Sequence, residues 1–160
     1  RRSVSSPTPA DHAPSGERNE FIGWSCMAIG VLVGLVMGLW SFDGPVSVPT
    51  WLGEYGDPSR RLARLGHIAF IGLGILNVLL ARHTRVSSAD WRFHRAALLL
   101  MNFGNLLLPI ALLGAAVWRP IKYVMPFPAL AVGLALCLTA WTARPRSTRQ
   151  GGGDATGAFR

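Results

Sequence analysis

The chain has 160 residues, half of them hydrophobic, and a formal charge of +8. Four stretches, residues 21–42, 65–81, 96–118 and 123–143, contain no Asp, Glu, Lys or Arg. Together they fill more than half of the chain, which leaves too little sequence for a separate soluble core. The arginines flank these runs instead of gathering on one face of a soluble fold, so lipid headgroups are the expected partner and nucleic acid is not. Cys26 and Cys137, the only two cysteines, both lie inside apolar runs; this excludes a disulfide framework and reads as buried thiols.

Residues 1–20 mix Ser, Pro and charges without periodicity and read as a disordered tail. The Arg1-Arg2 pair resembles a twin-arginine signal, but nothing apolar follows before Phe21, and the run after it is too long for a signal-peptide core. The run at 21–42 is therefore expected to be a retained first span, since about 20 apolar residues cross a bilayer's hydrocarbon. Trp24 and Trp40 stand near its two ends, about 24 Å apart on a helix. Gly30, Gly34 and Gly38 recur every four residues, a small-residue face against which another helix, internal or from another subunit, can pack closely.

In the connection that follows, Pro45, Pro49 and Pro58 restrict the backbone, and Trp51, Leu52 and Tyr55 are expected to lie on the outer membrane surface or on a partner. Asp57 as N-cap and Pro58 as first helical residue start the second span, 58–82. Arg60, Arg61 and Arg64 snorkel from its first turns. Arg60, Arg64 and His67 fall on one helical face suited to an anionic headgroup, a quinone oxygen or an acidic side chain of a partner. Ser87-Ser88-Ala89-Asp90 reads as a capping box opening the third span, 88–118, so the second and third spans should be antiparallel neighbours. That arrangement places Asn77 at a depth similar to that of Asn102 and Asn105, within reach for hydrogen bonds between helices. Pro109 cannot donate to the carbonyl of Asn105, and a kink is expected there. Pro120 and Pro126 prevent one continuous helix, so the fourth span is expected at 126–143, ahead of a second disordered tail, 144–160.

The expected fold class is all-α: an integral membrane protein with a four-helix domain over 21–143, arranged up-down-up-down. Arg18, Arg82, Arg85, Arg92, Arg95, Arg144, Arg146 and Arg149 fall on one side, against Arg60, Arg61, Arg64, Arg119 and Lys122 on the other. The positive-inside rule then places both termini in the cytoplasm, the membrane being read as a bacterial plasma membrane.

Function is less legible. None of the four charge-free runs holds an acidic residue for proton-coupled transport, and no phosphate loop, HExxH or CxxC motif occurs. Histidine offers the only cofactor chemistry. His67 and His83 lie too far apart along one helix to share an iron, whereas His83 with His94, or His67 with Met125, could hold haem b. Three classes follow: a non-enzymatic subunit or accessory factor of a larger membrane complex, which is the leading reading; a small redox protein binding haem b or quinone through His67 or His83/His94; and an oligomeric channel or carrier using Asn77, Asn102 and Asn105. The partners expected for the first are other membrane subunits or further copies of the chain.

Overall fold

The computed structural model describes residues 15–41, 44–87 and 90–144. Among them are four helices, α1 (Ser15–Gly38), α2 (Pro58–Val86), α3 (Trp91–Val117) and α4 (Pro126–Thr142), with 3-10 turns at Thr50–Leu52 and Arg119–Tyr123. All four helices are long and apolar enough to cross a membrane, α4 counted with the 3-10 turn before it. Most of both expected tails, residues 1–14 and 145–160, lies outside the described residues, as do Ser88 and Ala89 of the expected capping box.

The first correction is at the start. Disorder was expected through residue 20, but α1 begins at Ser15. Asn19 and Glu20 find partners on α2 and α3, which extends the helix beyond its charge-free run. α2 likewise continues past the expected end at 82 to Val86. α3 starts at Trp91, where the Asp90 carboxylate accepts from the backbone N–H of Arg92 at 2.9 Å and caps the first turn. Pro109 lies within α3, which continues through it to Val117. Asp57 precedes α2 as expected, yet its carboxylate turns back to accept from the Glu54 N–H at 2.8 Å and makes no side-chain cap. That turn requires Gly53, whose φ of 68° is left-handed and whose missing Cβ leaves room for the Asp57 carboxylate.

Contacts between α1 and α2 run in reverse order along the two helices. Gly16 faces Ala81 and Arg85, Gly23 faces Gly74 and Val78, Gly30 faces Phe70 and Ile71, and Gly34 faces the His67 ring. The operative stripe is therefore Gly16, Gly23 and Gly30, at intervals of seven, joined by Gly34. Gly38 has nothing within 4 Å of where a Cβ would stand, so its expected packing role is corrected; α1 ends there. At the tightest crossing a Cβ on Gly23 would stand 2.7 Å from the carbonyl oxygen of Gly74. α3 packs on α2, and α4 packs chiefly on α3, where Gly104 admits Pro128 and Val132.

The bundle is inverted relative to a water-soluble protein. Its interior is built from small residues, Ala81, Ala97, Ala111, Ala115 and Ala135 among them, with amides between, while Phe21, Leu35, Phe127 and Leu130 point outward at more than 60% exposure. Trp24, Trp118 and Trp141 are exposed as well. The connection after α1 departs from expectation: Leu52 does not lie on an outer surface but is buried with Ala63 and Ala116, closing one end of the bundle.

Candidate functional site

Three polar groupings stand out. The first is a closed ring of amides inside the bundle. Asn77 on α2 donates through Nδ2 to Asn102 Oδ1 at 2.8 Å, Asn102 on α3 donates to Asn19 Oδ1 at 2.9 Å, and Asn19 on α1 donates to Asn77 Oδ1 at 2.8 Å. Asn19 Nδ2 also lies 2.9 Å from the carbonyl oxygen of Leu98. Each amide has a donor and an acceptor in use, and the ring ties three helices at one level. Sequence reasoning missed Asn19 because it sits among Glu17, Arg18 and Glu20, before the apolar run. The available signal was its spacing: Asn19 and Gly23 are four residues apart and share the face that Gly30 continues.

Asn105 does not join the ring, contrary to the expected grouping with Asn77 and Asn102. It is fully buried one turn further along α3, next to the Cys26 thiol, and neither amide atom has a hydrogen-bond partner of ordinary geometry among the described residues. Asn105→Leu is therefore expected to be neutral or to raise thermal stability by about 1 kcal/mol, since it removes desolvated polar atoms and gives up only a weak contact with the Cys26 thiol. A thermal melt in detergent reads this directly; a clear loss of stability would show that Asn105 bonds to something.

The second grouping lies at the α1 start. Glu20 accepts from Arg82 Nε at 3.2 Å and from Arg85 Nη2 at 2.6 Å, pinning α1 to the last turns of α2. His83 and His94 lie at this same end, their rings edge to face with centroids 6.3 Å apart. Both Nε2 atoms are shielded from solvent and have no hydrogen-bond partner among the described residues.

The third is at the opposite end. His67 Nδ1 lies 2.8 Å from the Gly30 carbonyl oxygen, which can only accept, so the proton sits on Nδ1. The ring occupies the space that Gly34 leaves. This corrects the expected three-residue stripe: His67 turns into α1, while Arg60 and Arg64 turn toward the preceding connection. No interaction among the described residues joins His67 to Met125, which precedes the first turn of α4. Arg60 Nη2 donates to the Trp40 carbonyl at 3.0 Å and Arg64 Nη2 to the Tyr55 carbonyl at 3.2 Å. The two guanidiniums also lie 5.3 and 4.3 Å from the centroid of the Tyr55 ring, so Tyr55 stacks on arginine while staying exposed at the surface. Beside them are two cavities, one of about 340 Å³ with an almost wholly apolar wall and one of about 110 Å³ that Arg60, Arg64 and Tyr55 line. Met37, Trp40 and Leu52 border both.

Compared with protein-family profiles, with curated proteins and with solved structures, the chain matches none of them.

Proposed function

We propose that this chain is a non-enzymatic integral membrane protein, an accessory subunit or assembly factor of a larger complex in a bacterial plasma membrane, its four helices crossing up-down-up-down with both termini cytoplasmic. The inverted surface supports the membrane reading, because hydrocarbon wets outward Phe and Leu where water does not. The observation that carries the functional reading is the asparagine ring. Asn19, Asn77 and Asn102 bond to one another, so the amides best placed to line a pore or meet a substrate serve instead to hold helices together.

The test is a mild-detergent purification of the tagged protein with partner identification and absorbance from roughly 400 to 600 nm, the range of haem bands. A membrane protein recovered in fixed ratio and a flat spectrum are expected; a lone chain without partners, or a Soret band, overturns the reading. A haem b or metal reading has one observation in its favour, the unpartnered Nε2 atoms of His83 and His94, and that spectrum decides on haem.

Topology is tested separately. A reporter fused after Arg149 is expected in the cytoplasm and one inserted at Gly53 outside, following the eight-to-five excess of basic residues. Both reporters on one side contradict the crossing pattern.

A further inference from the structure

We propose that the arginine-rimmed end of the bundle binds one anionic phospholipid, with its phosphate on Arg60 and Arg64 and an acyl chain in the adjoining apolar groove. The larger cavity lies between α1 and α3 beneath the 3-10 turn of Thr50–Leu52, walled by Leu32, Val36, Trp40, Trp51, Leu113 and Val117. Its wall offers almost nothing to hydrogen-bond, so water gains little there and a hydrocarbon chain loses nothing. It opens on the outward faces of α1 and α3, where Leu32 and Val117 are exposed and bilayer acyl chains would lie.

Charge identifies the headgroup. The smaller cavity begins at the same three side chains, Met37, Trp40 and Leu52, and presents two guanidiniums. Neither has an ion-pair partner among the described residues, whereas Arg82 and Arg85 share Glu20. The nearby acid Asp57 is turned to the Glu54 N–H. Each guanidinium gives one hydrogen bond to a backbone carbonyl, and with five N–H donors apiece both retain donors for phosphate oxygens. Tyr55, stacked on both, fixes their spacing. A pair of preset cations beside a chain-sized apolar slot matches a phosphodiester that carries acyl chains; a neutral or zwitterionic lipid gains less from that pair.

The experiment is native mass spectrometry of the full chain in mild detergent with equal amounts of phosphatidylglycerol and phosphatidylcholine. One bound phosphatidylglycerol is expected, favoured about tenfold over phosphatidylcholine, a ratio that wild-type protein alone can give. In R60Q/R64Q the preference should vanish, and in V36W, which fills the apolar slot at an exposed position, occupancy by both lipids should fall. Equal binding of the two lipids by the wild type overturns the proposal, as does a preference that survives in R60Q/R64Q. Displacement by inorganic phosphate as effective as by phosphatidylglycerol also overturns it, leaving a bare anion site. The result is independent of whether a protein partner co-purifies.

Discussion

Asn77→Leu is expected to lower the thermal stability of the protein in detergent by about 1–3 kcal/mol, the cost of leaving Asn102 Oδ1 without its donor and removing one of the two acceptors of buried Asn19. Asn102→Leu should cost a similar amount. The triple variant in which Asn19, Asn77 and Asn102 are all Leu should cost less than the sum of its parts, because no orphaned amide remains and Leu is close to Asn in size. Helix-content melts monitored by circular dichroism measure all of these. Additive losses would mean that the three side chains act separately and that no cooperative ring exists.

Gly74→Leu is expected to be the most damaging single change, with a loss of 3 kcal/mol or more, roughly the upper end for overpacking. A Cβ at position 74 stands 2.7 Å from the Gly23 carbonyl oxygen, and backbone cannot move aside as a side chain can. Gly72, two residues earlier on the same helix, has nothing within 4 Å, so Gly72→Leu is the matched control and should be nearly silent. Both replacements carry the same gain in helix propensity and in apolar character. A difference between them therefore measures the α1/α2 crossing alone; equal melting temperatures would show that the helices do not touch there.

How much the residues disclosed in advance follows from what each signal depends on. Pro58, Pro120 and Pro126 act through local backbone geometry, so the starts of α2 and α4 were legible within a residue or two. The α1 start was not, because charge-free length locates only the part of a helix that hydrocarbon covers; Asn19 and Glu20 are held by residues 58 to 65 or more positions away. Gly30, Gly34 and Gly38 form one face by spacing, but only the partner's side chains decide which members are used, and none comes within 4 Å of a Cβ at Gly38. Arg60, Arg64 and His67 likewise share a face in sequence. The Gly30 carbonyl and the gap at Gly34 take His67 away from it, and neither can be seen from α2 alone. Leu52 could not be assigned to the interior from an irregular, proline-rich connection, where periodicity carries no information.

The asparagine ring also imposes an order on biogenesis. A chain entering a bilayer from its N-terminus delivers Asn19 first, then Asn77, and must add Asn102 on α3 before the third amide closes the cycle. Until then α1 and α2 have only the Asn19–Asn77 bond of the cycle, beside their glycine crossing and the Glu20 ion pairs, and both bonds to Asn102 are still to be made. α4 contributes nothing to the cycle and packs chiefly on α3, so α1 through α3 form the unit that locks, and α4 docks onto a body already set. Translation arrested beyond Asn102 but before α4 is complete therefore leaves a nascent bundle that already carries its own register mark.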